Sequence, residues 1–304
     1  MKKEMFLGIL ILVIVVAGCT SGGETPTPVK SVFDGGTQGI VASFEPFGVQ
    51  EAGIFTIFDT ETFPIEVTLK NRGEEDVAAG DAKVSLKGIN LNDFTGIPSG
   101  SVTNKNKIEK VSELDKQGQE ELLDFTPGTD AHYKPKVTGF YQPDIFAVAE
   151  YKYATHLIMP QICFKEDLKD ESVCKVDEAK TFFVSGAPVT VTKVEESAAG
   201  RGLMVLLITI ENVGGGKVTL PAADFDARYG QVAFTVETEP EKWECRSAGR
   251  EGEVRLVDGK AVIACKLKEQ LAKDTLFTKQ IELTLKYRYQ SVIQQTIKIK
   301  ESLD

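Results

Sequence analysis

KQIELTLKYRYQ, residues 279–290, sorts its side chains onto two faces. Ile281, Leu283, Leu285, Tyr287 and Tyr289 share one face, and Glu282, Thr284, Lys286 and Arg288 share the other. Successive side chains of an extended chain point to opposite sides, so this period of two predicts a strand with one face buried and one wet. FPIEVTLKN at 63–71 repeats the pattern with Ile65, Val67 and Leu69 against Glu66, Thr68 and Lys70. From about Ile40 onward, alternation is far commoner than helical spacing. Two segments admit a short helix, 111–125 and 267–274, but Gly118 sits in the middle of the first, at a cost of about 1 kcal/mol relative to Ala. A strand, loop, strand course suits 111–125 equally. The fold class expected is all-β.

The chain also repeats itself. VTLKNRGEEDV at 67–77 aligns with ITIENVGGGKV at 208–218, an offset of 141, and EYKYAT at 150–155 aligns with KYRYQS at 286–291, an offset of 136. Two matches in one order at nearly one spacing indicate duplication. In each copy a strand runs into an Asn-x-Gly turn, where Asn and Gly are expected to supply the positive φ of a tight hairpin reversal. Each copy later carries two tyrosines two residues apart, Tyr151 and Tyr153 or Tyr287 and Tyr289, which would point inward and direct their hydroxyls to backbone. A chain of 304 residues is about right for two domains of roughly 100–150 residues. The expected organisation is two tandem immunoglobulin-like antiparallel β-sandwich domains, 40–186 and 187–304, divided at the turn-forming string Ser185-Gly186-Ala187-Pro188.

The front of the chain has a different character. Lys2 and Lys3 precede an apolar run from Met5 to Ala17, closed by Gly18 and Cys19. That run is short of the roughly 20 residues of a comfortable membrane span and fits the roughly 7–15 of a secretory signal. Residues 1–18 are therefore expected to be a signal peptide. The small residues before Cys19 resemble a lipobox, which implies acylation of the Cys19 thiol and cleavage just before it. An uncleaved N-terminal anchor is the alternative. Two or three acyl chains would hold the protein to membrane lipid where one would not. Residues 19–39 would then form the lipidated end and a flexible tether, with TSGGETPTPVKS at 20–31 reaching at most about 40 Å. The body would lie extracytoplasmic, on the outer face of the cytoplasmic membrane or elsewhere at the cell surface.

Cysteine arithmetic agrees with an oxidising compartment. Cys163 and Cys174 lie eleven apart, and Cys245 and Cys265 lie twenty apart. Of three possible connectivities, the one made of the two local pairs is expected. A zinc site competes poorly, because CxxC spacing is absent and only His132 and His156 are available.

The strand, N-x-G turn, second strand and later Leu-rich loop resemble CARDB-type and related immunoglobulin-like modules of bacterial and archaeal surface proteins. The resemblance covers some 25–30 residues of each half. It implies tandem sandwiches on a cell surface. The chain differs from that pattern in its disulfide within each half and its long section between residues 78 and 140.

Candidate chemistry is sparse. The net charge of −10 becomes −11 once the +1 of Lys2, Lys3 and Glu4 is removed, and Lys105, Lys107 and Lys110 are interrupted by Asn and Glu. Nucleic acid is thus not an expected partner. No Gly-x-Ser-x-Gly, Walker loop, HExxH or dinucleotide fingerprint occurs. The two histidines lack a third ligand at metal-site spacing. Glu74-Glu75-Asp76 and Asp224-Phe225-Asp226 offer oxygens for calcium, although solvated loop charge is the ordinary role of such runs. Trp243, two residues before Cys245, either anchors a partner as an exposed aromatic or packs over the disulfide, and packing is expected. No catalytic residue, metal or cofactor is therefore assigned. The expected function is that of a non-catalytic surface lipoprotein in adhesion, protein-partner binding or envelope scaffolding. The alternatives are a solute- or glycan-binding receptor beside a transporter, or an envelope enzyme whose site the linear chain conceals.

Overall fold

The computed structural model describes residues 31–303. The strands that carry its architecture are β1 (Ile40–Phe44), β2 (Ile54–Phe58), β3 (Glu66–Asn71), β4 (Ala82–Lys87), β5 (Ser101–Thr103), β6 (Glu120–Asp124), β7 (Asp144–Lys165), β8 (Val189–Gly200), β9 (Leu203–Asn212), β10 (Lys217–Thr219), β11 (Gln231–Val236), β12 (Trp243–Ser247), β13 (Glu253–Arg255), β14 (Lys260–Leu267) and β15 (Leu276–Lys300). No α-helix occurs among the described residues. Of the two segments that admitted one, 111–125 is loop ending in β6, and 267–274 is the end of β14 followed by turns.

The fold is an all-β sandwich organised around β7 and β15. These two strands pair antiparallel almost from end to end, from Asp144↔Thr296 to Lys165↔Leu276, with one irregularity between Met159 and Ile162. β4 adds to the free side of β7 and β5 adds to β4. The other side of β15 takes β11 and β10, with β13 beyond β11. Its last residues also pair in parallel with β2. Two smaller sheets complete the layers, β1-β3-β6 in the first half and β8-β9-β14-β12 in the second.

Alternation accounts for the burial. In β15, Ile281, Leu283, Leu285, Tyr287 and Tyr289 are buried while Lys286 is exposed. β9 reads as nearly continuous apolar sequence, yet only Met204, Leu206, Ile208 and Ile210 are fully buried. The buried side chains of both halves form one contiguous core. At its centre Tyr151 lies 5.6 Å from Tyr289, and Tyr153 lies 6.4 Å from Tyr287, ring centre to ring centre. Such aromatic pairs contribute about 0.5–1.5 kcal/mol beyond the area they bury.

The sequence repeat has a structural counterpart. Tyr153 Oη donates to Asn71 Oδ1 at 3.0 Å and accepts from the Glu75 N–H at 3.3 Å. Tyr289 Oη donates to Asn212 Oδ1 at 3.1 Å and accepts from the Gly216 N–H at 2.6 Å. Each Asn amide also donates across its turn, to Glu75 O at 2.7 Å or Gly216 O at 2.8 Å. The turns are not hairpins as expected. Each carries the chain out of a small sheet, from β3 toward β4 or from β9 to β10, and into the sheet of β7 and β15.

Gly215 supplies a positive φ in the second turn, at 76°, but the aligned Gly73 and Gly214 do not. They are required because a tyrosine hydroxyl closes over them. A Cβ on Gly73 would lie 2.3 Å from Tyr153 Oη, and one on Gly214 would lie 2.5 Å from Tyr289 Oη.

Ser31 onward forms one compact unit. The string Ser185–Pro188, where a division was expected, is a turn with Ser185, Gly186 and Ala187 buried. Residues 31–39, expected to continue the tether, are docked from Asp34 onward. The N–H groups of Asp34 and Gly35 each donate to the Glu74 carboxylate at 2.9 Å, and the Arg72 N–H donates to Gly39 O at 2.9 Å. Cys19 and the rest of residues 1–30 lie outside the described residues.

Candidate functional site

The outward face of the sheet built on β7 and β15 gathers cations that the sequence scatters. Lys83 on β4 stands opposite Glu150 on β7, and Glu150 stands opposite Gln290 on β15. Lys217 on β10 stands opposite Gln290 from the other side. One row along, Lys152 faces Arg288, and one row further Ala154 faces Lys286. Directly opposed residues point to the same side of a sheet. Lys83, Lys152, Lys217 and Lys286 are exposed and Arg288 is half-buried, whereas the intervening Val84, Tyr151, Tyr153, Tyr287 and Tyr289 are buried.

These five cations thus lie in three adjacent rows of the face, with Asp81, Glu150 and, beyond Ala233, Glu253 among them, and Asp224 reaches its margin. Lys152 pairs with Asp81 at 2.6 Å, and one oxygen of Glu150 accepts from Gln290 Nε2 at 2.9 Å. Lys83, Lys217, Lys286 and Arg288 take part in no ion pair among the described residues. A cleft of about 430 Å³ opens here, with Lys83, Thr103, Glu150 and Arg288 on the sheet and Asp224 and Phe225 on an overhanging loop. That volume falls within the roughly 300–1,000 Å³ of ligand sites. A second cavity, of about 440 Å³, lies over the stacked rings of Phe164 and Phe277. Its rim is partly neutralised internally, since Glu239 takes both Lys242 at 2.7 Å and Lys279 at 2.9 Å.

The acidic runs named as calcium candidates are dispersed. Glu74 accepts the N–H groups of Asp34, Gly35 and Gly186, Glu75 meets His156 Nε2 at 2.9 Å, and Asp76 meets Lys107 at 2.8 Å. Asp226 is gripped by Nε and Nη2 of Arg228 at 2.8 and 2.6 Å, which holds its carboxyl down at about 2, while Asp224 lines the cleft. Among the described residues no three His, Cys, Asp or Glu side chains gather as a metal cluster. His132 lies at a strand edge with Nδ1 3.2 Å from Glu61 O, far in sequence from the His156–Glu75 pair.

Cys163 bonds to Cys174 and Cys245 to Cys265, the two local pairings. Cys245 and Cys265 stand directly opposite each other on β12 and β14. Trp243 is 4% exposed, which agrees with the packed position expected of it and not with an exposed anchor. Its aromatic partner is Phe164, at 6.0 Å edge to face, beside the other disulfide. Sequence reasoning also missed a buried ion pair. Glu196, wholly inaccessible, meets Lys180 Nζ at 2.8 Å and accepts the Cys163 N–H at 3.1 Å. Burial outweighs these partners and pushes its carboxyl up to about 7.

No family model matches this chain. No curated protein matches it either.

Proposed function

We propose that the protein is a non-catalytic, lipid-anchored component of the extracytoplasmic surface that binds an anionic partner on the outer face of its central sheet. The observation that carries this is the assembly of Lys83, Lys152, Lys217, Lys286 and Arg288 on one sheet face of a chain whose net charge is −10. Charge concentrated against the overall sign raises the local concentration of an oppositely charged partner and orients it. Two disulfides support an oxidising compartment, and the lipobox-like sequence ending at Cys19 supports attachment to lipid. Adhesion, partner binding and scaffolding all use such a face. None requires a reacting group.

Mass spectrometry of membrane-extracted protein after non-reducing digestion tests the anchoring half of this function. The expected result is an acylated N-terminal Cys19, with Cys19→Ala shifting the protein into the soluble fraction. An unprocessed Met1 in membrane extracts, or free thiols at Cys163 or Cys245, would overturn it. Crosslinking in intact cells tests the binding half. Partner crosslinks should fall when Lys83, Lys286 and Arg288 are changed together to Gln, and unchanged crosslinking would refute the role of the face.

A further inference from the structure

We infer that the cleft over Lys83, Glu150 and Arg288 binds an acidic sugar, a hexuronate unit of a surface polysaccharide. This rests on the proposed function, because it needs the face to lie outside the cytoplasm. It goes further in naming the ligand's chemistry and the groups that read it.

The cleft mixes charge signs, and the mixture decides the ligand class. A bare phosphate or a polyphosphate would meet Asp81, Glu150 and Asp224 as well as the cations. A hydroxylated acid has a use for both. Its carboxylate fits the planar fork of Arg288, which presents parallel N–H donors to one carboxylate, with Lys83 as a second, mobile charge. Neither cation is in an ion pair among the described residues. Its hydroxyls need acceptors. Glu150 has one oxygen committed to Gln290 and the other without a hydrogen-bond partner, and Asp224 forms no side-chain hydrogen bond among the described residues.

Phe225, half-buried on the overhanging loop, offers a flat apolar surface to the C–H face of a pyranose ring. The spacing also fits. Lys83 and Arg288 are two strands and two residues apart, about 12 Å between Cα atoms from standard strand dimensions, so their long side chains close on a ligand one or two sugar rings wide. Lys217 and Lys286 lie on the same face outside the cleft and would favour further acidic units of a chain. A membrane surface is a poorer fit, since three carboxylates line the cleft and anionic headgroups would meet all of them.

The test is calorimetric titration of the full-length, detergent-extracted protein with trigalacturonate, with the neutral trisaccharide galactotriose and with inorganic phosphate. Trigalacturonate should bind with Kd below about 1 mM, weakening with added salt, and galactotriose should bind at least about tenfold more weakly. Arg288→Gln and Lys83→Gln should each lower trigalacturonate affinity about tenfold or more without moving the thermal midpoint. Arg288→Lys, which keeps charge and loses the fork, should lose affinity as well. Absence of saturable trigalacturonate binding, equal affinity for inorganic phosphate, or full retention in the Arg288 and Lys83 variants would each overturn the inference. If Cys19 is acylated and cell-surface crosslinks depend on the cationic face while trigalacturonate fails to bind, the ligand assignment alone falls and the proposed function stands.

Discussion

Replacing Tyr153 by Phe removes one oxygen from the first Asn–Tyr corner, and replacing Tyr289 by Phe removes its counterpart from the second. The two should not cost the same. Asn71 and Gly73 are buried and Tyr153 is 4% exposed, so the space its hydroxyl vacates is closed on the Asn71 side, although Glu75 itself is half-buried. Asn71 Oδ1 keeps the Gly73 N–H at 3.2 Å, which leaves the part-buried Glu75 N–H as the one donor without its partner, at about 1–3 kcal/mol. At the second corner Asn212 and Gly216 are both half-exposed. Water can replace the lost hydroxyl there, and the cost should be about 0.5–1.5 kcal/mol. Urea unfolding with both disulfides intact reads the difference as a shift in midpoint at constant slope. A double-mutant cycle with Asn71→Ala should return a coupling of about 0.5–3 kcal/mol. A Tyr289→Phe loss equal to or larger than that of Tyr153→Phe would refute the reasoning, as would a Tyr153→Phe loss under about 0.5 kcal/mol.

Gly73→Ala, whose new Cβ would collide with Tyr153 Oη and with the Gln38 and Gly186 carbonyls at 2.3 to 2.5 Å, should cost about 3 kcal/mol or more. Gly215→Ala has positive φ but open space and should cost only about 1–2 kcal/mol, a contrast that thermal midpoints will show. Glu196 sits at about 7 when folded against an ordinary 4.5, so the folded state holds the extra proton between those values. Stability should therefore fall as pH rises from about 4.5 to about 7, by on the order of 3 kcal/mol, and Glu196→Gln should flatten that slope in denaturation curves taken across the window. Removing either disulfide by paired Cys→Ala substitution releases a loop of 11 or 20 residues. Each should cost about 3 kcal/mol on the loop-entropy account, and an unchanged urea midpoint would count against it.

What the sequence disclosed was local. Alternation at 63–71 and 279–290 specified strands because one face of each is buried. The repeat of Asn, Gly and paired tyrosines marked residues that do meet in space, although Gly73 and Gly214 answer to a closing hydroxyl and not to a positive φ. Disulfide pairing was legible because both partners lie close along the chain. The cleft was not legible, since Lys83, Glu150 and Arg288 lie more than sixty positions apart from one another in the chain and only the registers of β4 on β7 and of β7 on β15 bring them together. The partners of Trp243 and Glu196 were opaque for a similar reason. Whether an aromatic or a carboxylate is exposed depends on what packs over it, and here that is Phe164 or Lys180.

Lys152 and Arg288 occupy equivalent places in the repeat, 136 positions apart, and they also stand directly opposite one another, with Tyr151 against Tyr289 and Tyr153 against Tyr287 on either side. The two copies are thus related by a local dyad passing between those two cations, the isologous arrangement of a twofold dimer. Cutting the polypeptide between the copies would strip β7 or β15 of its mate and bare a rim of unsatisfied amides and carbonyls some twenty residues long. Such a rim recruits another strand, so an isolated half should self-associate, and fusing the copies into one polypeptide makes that association permanent.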